Sequence, residues 1–169
     1  MDPRLDGLLR ILELNTRLFE SCLEGISDEA ARRKPNPESN SVAFLACHLV
    51  DARAYLARLI GAERATDLHD SIPTYLAVVE HQDEPPVSQV VSAWSTAGKL
   101  LRTRLVSLRA EDLTAPSPET VTTNDPTLFG AIAFLLHHEA YHIGQIAFAR
   151  KYFGVGSMGY GHKALLAKS

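Results

Sequence analysis

Cysteine is scarce in this sequence, and its two cysteines, Cys22 and Cys47, both lie in apolar runs of helical character. A disulfide-stapled scaffold needs a larger set, so the sequence predicts two buried free thiols. Apolar runs of the ~20 residues that a membrane-spanning helix needs are missing as well. The opening residues, MDPRLDG, lack the basic start and apolar stretch of a secretory signal peptide. We therefore expect a cytoplasmic protein without a membrane partner.

An excess of basic charge is also lacking. The chain has 17 lysines and arginines against 20 aspartates and glutamates, which gives a formal net charge of -3. Nucleic-acid-binding domains usually carry a marked basic patch, so we expect no nucleic-acid partner. The chain has 169 residues, 46% of them hydrophobic, which is enough for one domain with a core of its own. Residues 1–169 are therefore expected to form a single domain.

Strand-type alternation of apolar and polar residues is missing too, and apolar residues recur instead every three or four positions. In the first such segment the apolar stripe is interrupted at Asn15 and Thr16. A short helix is expected at 27–30, before the breaker at 34–37. The four long segments with helical periodicity cover residues 4–23, 41–60, 87–108 and 126–153.

Capping residues mark the ends of these helices. Ser41 or the residue before it is expected to cap the second long helix. Asp125 is expected to cap the fourth, with the following proline as its first helical residue. Gly61 and Gly154 are expected to stop the second and fourth helices. Four long helices joined by turn-rich links bury their apolar stripes most simply as an all-α four-helix bundle.

Two of the seven histidines lie one turn apart in the fourth helix. His138 and His142 continue an apolar stripe that includes Leu135, so both are predicted to face the bundle interior. Residues four apart on a helix have Cβ atoms about 5–6 Å apart, which suits two imidazoles that converge on one ion. His137 points about 100° away from its neighbour on helix geometry and is not a candidate.

A third ligand must come from another helix, and His48 is the candidate. It lies at the edge of the inward face of the second long helix, among Leu45 and Leu49. An isolated histidine of this kind is more often a satisfied core residue, whereas the pair on a neighbouring helix favours ligation. Three protein ligands would leave a coordination position for water or substrate. His69, His81 and His162 lie in loop-like or terminal sequence and are expected to be exposed.

Residues 138–142 also read His-Glu-Ala-Tyr-His, which matches the HExxH signature of zinc peptidases. In that signature the glutamate activates water, so Glu139 is a candidate catalytic base; orientation of a ligand histidine and a helix-surface acid are the alternatives. The metzincin extension is missing and only 27 residues follow His142, which disfavours a peptidase. Gln145, one turn beyond His142, is a candidate cofactor-binding residue that would hydrogen-bond a ligand or a water on the ion; a buried glutamine satisfied by the backbone is the alternative.

Two segments resemble the motifs of a known family. They are Asn-Ser-Val-Ala-Phe-Leu-Ala-Cys-His-Leu at 40–49 and His-Glu-Ala-Tyr-His-Ile-Gly-Gln-Ile at 138–146. In these motifs, in helix number and in length, the chain is similar to the DinB-like superfamily of metal-binding bundles, which includes the YfiT-type thiol transferases. The resemblance implies that His48, His138 and His142 bind the metal, the same set that helix geometry indicates.

The same resemblance implies an up-down-down-up order of helices, one zinc or nickel ion, and a homodimer. That order requires a long crossover between the second and third helices, and the stretch at 62–86 has the length for it. Family members include transferases and isomerases that use low-molecular-weight thiols such as bacillithiol or mycothiol. Others have no assigned reaction.

The leading hypothesis is therefore a metal-dependent enzyme that acts on a small molecule, as a thiol-dependent transferase or a hydrolase. A non-catalytic metal-binding or stress-response protein is the alternative, and an HExxH zinc peptidase comes third. A pocket that reaches the ion from the bundle end, lined by part of residues 62–86, would favour the enzyme.

Overall fold

A computed structural model of the chain describes residues 2–62 and 84–160. Within these ranges the regular structure is helical, apart from one isolated bridge between Pro116 and Thr127. This confirms the predicted all-α class. The helices are α1 (Pro3–Leu23), α2 (Asp28–Arg32), α3 (Val42–Leu59), α4 (Val87–Ser107), α5 (Ala110–Thr114) and α6 (Leu128–Tyr152). The short α5 was not predicted, because five residues carry no periodic pattern and, unlike α2 with Ser27, it has no capping serine at its start.

Most of the predicted helix ends are confirmed. The hydroxyl oxygen of Ser41 caps α3 by accepting a hydrogen bond from the Phe44 N–H at 3.0 Å. Gly61 and Gly154 follow the ends of α3 and α6 with φ angles of 67° and 79°. Glycine adopts this left-handed conformation at little cost, so both residues end their helices without strain.

The prediction that Asp125 caps the fourth helix is wrong. The N-cap of α6 is Thr127, whose side chain accepts a hydrogen bond from the Gly130 N–H. Asp125 instead accepts hydrogen bonds from the backbone N–H and the hydroxyl of Thr127, at 3.0 and 2.7 Å. Because the bridge to Pro116 also holds Thr127 in extended backbone, helical geometry begins only at Leu128.

The four long helices form a square bundle. Each of α1 and α3 packs against both α4 and α6, which places α1 diagonally opposite α3 and α4 diagonally opposite α6. The helices α3 and α6, which carry the histidines predicted as ligands, are therefore neighbours.

Two clusters of buried apolar side chains give the direction of each helix. Core A is formed mainly by the C-terminal parts of α1 and α6 and the N-terminal parts of α3 and α4. Core B is formed by the opposite ends of the same four helices. Thus α1 and α6 run from core B to core A, and α3 and α4 run the other way, which confirms the up-down-down-up order.

Because α3 and α4 are parallel neighbours, the chain between them must return along the bundle. The 18 residues of α3 correspond to about 27 Å of helix, which a tight turn cannot span. This confirms the long crossover. Residues 63–83 of this link lie outside the described residues. The expectation that part of this stretch lines a pocket at the ion therefore stays a prediction.

Two further predictions concern cysteines and membranes. Cys22 and Cys47 are buried thiols that form no disulfide, as predicted. Burial raises the pKa of the Cys22 thiol to about 11, against the opposing effect of Arg150. No helix in the described part of the chain is both long enough and apolar enough to cross a membrane.

A buried polar layer, formed by Asn15, Thr16, Arg53 and Glu139, lies between core A and core B. Arg53 is 0% exposed and Glu139 is 2% exposed. The guanidinium of Arg53 donates to the two carboxylate oxygens of Glu139 at 2.8 and 3.1 Å, and to the Thr16 hydroxyl at 3.0 Å. Asn15 donates to the same carboxylate at 3.1 Å. The layer therefore joins α1, α3 and α6, and explains why polar residues interrupt the apolar stripe of α1.

Gly98 of α4 leaves room for the Arg53 guanidinium. A Cβ atom at this position would lie 2.8 Å from Nη1 of Arg53 and 3.4 Å from the hydroxyl oxygen of Thr16. The guanidinium has little freedom to move away, because it is bonded to Glu139 and lies 3.1 Å from the ring centroid of Trp94.

We expect Gly98→Ala to lower the free energy of unfolding by about 1–3 kcal/mol through overpacking, although alanine is the better helix former. Gly7→Ala in α1 is the matched control, since a Cβ atom there meets nothing within 4 Å. The free energy of unfolding of the control is expected to rise by about 0.5–1 kcal/mol. Urea unfolding of both variants measures the difference, and an equal gain in both would contradict this account of Gly98.

Candidate metal centre

The three histidines predicted as ligands meet between α3 and α6. Nε2 of His138 lies 3.2 Å from Nε2 of His48 and 3.0 Å from Nε2 of His142. One nitrogen of each ring lies within 4.8 Å of the other two. All three side chains are half-buried, so the group, called the histidine triad below, is held by the bundle and still accessible from outside it.

The rings of the triad are close to perpendicular to one another. Their planes make angles of 73°, 84° and 79°, with centroids between 4.4 and 5.0 Å apart. Aromatic residues one turn earlier stack on two of the rings. The ring centroids of Phe44 and His48 are 6.2 Å apart, and those of Phe134 and His138 are also 6.2 Å apart. The three rings therefore enter the site from different directions, and this allows one nitrogen of each ring to point toward a common centre.

These separations fit three ligands of one metal ion. Nitrogens bound about 2.1 Å from an ion are about 3.0–3.4 Å apart when the angle between them is about 90–109°. The separations of Nε2 of His138 from Nε2 of His142 and of His48, 3.0 and 3.2 Å, fall in this range. Three histidines in this arrangement can hold a divalent metal ion.

The protonation of the triad also suits a metal. Burial, together with the charges of His142 and His48, lowers the pKa of His138 to about 4. Burial likewise lowers the pKa of His142, so both rings are neutral near pH 7, as metal binding requires. Nδ1 of His138 is buried and has no hydrogen-bond partner among the described residues. Burying such rings with converging lone pairs costs free energy, which a bound cation would offset.

Gln145 fixes the orientation of one member of the triad. Its Oε1 lies 2.6 Å from Nδ1 of His142. An amide oxygen can only accept, so Nδ1 of His142 must carry the proton and donate it. That tautomer leaves the Nε2 lone pair free to face the ion, which is how hydrogen bonds from outside the coordination sphere tune metal ligands.

The structure places Glu139, the candidate catalytic base, in the polar layer. Its carboxylate accepts hydrogen bonds from Arg53 and Asn15, and its side chain is 2% exposed. It follows His138 in sequence, but one residue on a helix is a rotation of about 100°. The Glu139 carboxylate therefore faces the bundle interior, whereas the His138 ring points toward the other two histidines of the triad.

Sequence reasoning missed Arg53, which pairs with Glu139, the residue next to His138 in sequence. Ala52, three residues after Leu49, is half-buried, whereas Arg53 is fully buried. A signal was present: Arg53 lies four residues after the buried Leu49, and α1 carries a polar interruption at the same level. An arginine in a helix is usually exposed, which hid the pattern.

Among the other histidines, only His137 lies within the described residues. It is exposed and is not part of the histidine triad. His69, His81 and His162 lie outside the described residues.

Comparison with known proteins agrees with this geometry. The family model of the DinB superfamily matches residues 11–146, a range that includes all three histidines. The chain belongs to the DinB superfamily. The family membership confirms the resemblance drawn from the two sequence motifs.

A solved structure shows the same fold as this DinB-superfamily chain. It is the crystal structure of a conserved protein from Enterococcus faecalis, which matches with a TM-score of 0.68 over 90% of this chain and 97% of that chain. The two sequences are 14% identical, so the likeness concerns the fold alone. No curated protein matches the sequence.

We expect His48→Ala, His138→Ala and His142→Ala each to lose most of the bound metal, because two remaining imidazoles hold an ion much less firmly than three. His137→Ala is the matched control: it removes an exposed histidine next to the triad and should keep its metal. Elemental analysis of the purified proteins measures the content. Equal metal in all of them would defeat the assignment.

Gln145→Met removes the acceptor for His142 while keeping the length of the side chain. We expect it to weaken metal binding by roughly 10- to 100-fold, as changes to such supporting hydrogen bonds do. Gln145→Glu keeps an oxygen acceptor and is expected to retain affinity within a few-fold. Competition with a chromophoric chelator gives the dissociation constants. If both variants bind as the wild type does, Gln145 does not orient His142.

Proposed function

We propose that this DinB-superfamily protein is a metal-dependent enzyme that acts on a small molecule, as a thiol-dependent transferase or a hydrolase. The observation that carries the proposal is the histidine triad itself. Its nitrogens have the spacing of ligands to one ion, and its half-buried position leaves one side approachable. A structural metal site, by contrast, is usually closed by four protein ligands.

The residues of the chain have separate tasks in this proposal. His48, His138 and His142 hold a divalent ion, and zinc or nickel suits a set of neutral imidazoles. An ion in such a site lowers the pKa of a thiol or water ligand toward neutrality. Gln145 keeps His142 in the metal-binding tautomer. The homodimer and the cytoplasmic location stay predictions.

Glu139 remains our candidate for the catalytic base, but its contacts support a different task. A base must lie within hydrogen-bond reach of the proton that it takes from the substrate or water. Both carboxylate oxygens of Glu139 already accept hydrogen bonds from Arg53, within the protein interior. We therefore favour a positioning role, in which Glu139 holds α6 against α3 and keeps the triad together.

The same contacts argue against a zinc peptidase. In an HExxH enzyme the glutamate is poised beside the water on the metal. Here the glutamate is engaged with Arg53 and Asn15 in the polar layer. The spacing of residues 138–142 thus supports two metal ligands on one helix without supporting the peptidase mechanism.

The test is turnover by the metal-loaded protein. We would supply glutathione, cysteine, bacillithiol or mycothiol with monochlorobimane, and p-nitrophenyl esters without thiol, and follow fluorescence or absorbance. We expect at least one reaction at a rate about a hundredfold above that of His48→Ala, since metal activation contributes several kcal/mol. Chelation should abolish it, and His137→Ala should retain it.

If the fully loaded wild type is no faster than His48→Ala with any of these substrates, the proposal fails in favour of a non-catalytic metal-binding protein. Glu139→Gln, assayed beside these variants, separates its two tasks. Loss of rate with unchanged stability and metal content indicates a base. Loss of stability together with metal affinity indicates the positioning role.

A further inference from the structure

A pocket of about 450 Å³ opens between α6 and the turn before α3, a size typical of small-molecule sites. Two of its lining residues, Leu45 and Gln145, belong to the helices that carry the triad. Leu45 lies three residues before His48 on α3, and Gln145 lies three residues after His142 on α6. Because these helices are antiparallel, both residues lie on the same side of the triad, about one helical turn away.

One wall of this pocket is aromatic. Phe148 and Tyr152 of α6 line it and are 65% and 59% exposed. Their ring centroids are 6.4 Å apart, with an angle of 29° between the planes. Exposed aromatic rings on a pocket wall offer their faces to a flat apolar group or to a cation.

A second wall is the turn before α3, and its lining is polar. Asn36 and Glu38 line the pocket from this turn. The side chain of Asn36 accepts a hydrogen bond from the Glu38 N–H at 3.0 Å, which shapes the turn. The Tyr152 hydroxyl donates to the Pro35 carbonyl at 3.4 Å and so connects the turn to the aromatic wall.

The charge of the lining distinguishes between ligand classes. Glu38 is acidic, and no lysine or arginine is among the described residues that line the pocket. A carboxylate and aromatic faces both attract a cation. The same groups repel phosphate and carboxylate ligands, for which a basic side chain would be needed.

We propose that this pocket binds the ammonium-bearing part of the substrate, a small primary amine with an apolar body. Glu38 attracts the ammonium group, and Phe148 and Tyr152 cover the apolar body. Gln145 lines the pocket and also holds His142, so an occupant lies next to the reacting centre. This inference rests on the proposed function, because it makes the pocket a subsite of the metal-dependent enzyme.

The test uses three probes of similar shape and different charge: phenethylamine, 2-phenylethanol and phenylacetate. Each is titrated into the metal-loaded protein and followed by amide NMR shifts. We expect phenethylamine to bind at least about fivefold more tightly than the alcohol, with phenylacetate weakest. The shifted amides should belong to residues 36–40 and 145–152. Equal binding of the three probes, stronger binding of phenylacetate, or shifts confined to other residues would overturn the proposal.

Matched variants show which residue makes the pocket select the amine over the alcohol. Glu38→Gln should weaken phenethylamine binding by roughly three- to fivefold and leave the alcohol unchanged, as expected for an exposed charge pair. Glu24→Gln removes an exposed acid at the end of α1 and should change neither. Phe148→Ala should weaken both probes. If Glu38→Gln and Glu24→Gln behave alike, Glu38 does not select the amine.

Turnover and metal content of the same proteins keep the two proposals separate. Turnover with full metal, but without selective amine binding, overturns the subsite and leaves the enzyme standing. Selective amine binding without any turnover supports the pocket's chemistry and overturns the enzyme.

Discussion

The buried ion pair between Arg53 and Glu139 is the interaction on which the site depends. It joins α3 to α6, the two helices that carry the triad, and both partners are almost fully buried. Charges of this kind are tolerable only when their hydrogen bonds are satisfied, and loss of one partner typically costs about 3–5 kcal/mol. Here Glu139 and Thr16 satisfy the guanidinium and Trp94 covers one face of it, so the pair holds the helices in one register.

That register determines how close the histidines come. His138 immediately precedes Glu139, and His48 lies five residues before Arg53. A slide of one helix by a single turn would move its histidines by about 5.4 Å, more than the separations between the ring nitrogens of the triad. A polar layer fixes the register of two helices better than apolar packing does. An ion pair with directional hydrogen bonds has one favourable geometry, whereas apolar side chains can repack in several.

The five residues at 138–142 show that a motif acquires its chemistry from its surroundings. The two histidines meet a third from α3, while the glutamate between them meets an arginine. The next turn of α6 is divided in the same way. Gln145 hydrogen-bonds His142 and lines the pocket, whereas Ile146 is buried in core A. One helix thus presents candidate metal ligands on one side and a buried, ion-paired carboxylate on the other, because successive residues are rotated by about 100°.

The periodic spacing of apolar residues and the local caps determined the four helices, as the ends at Ser41, Gly61 and Gly154 show. The i,i+4 spacing of His138 and His142 likewise put two imidazoles on one face, since that depends only on helix geometry. The partner of each buried polar group was decided by tertiary structure. Neither the burial of Arg53 nor its pairing with Glu139 is encoded in local pattern, because a contact between residues 86 positions apart exists only once α3 and α6 pack. The same packing brings His48 to the other two histidines.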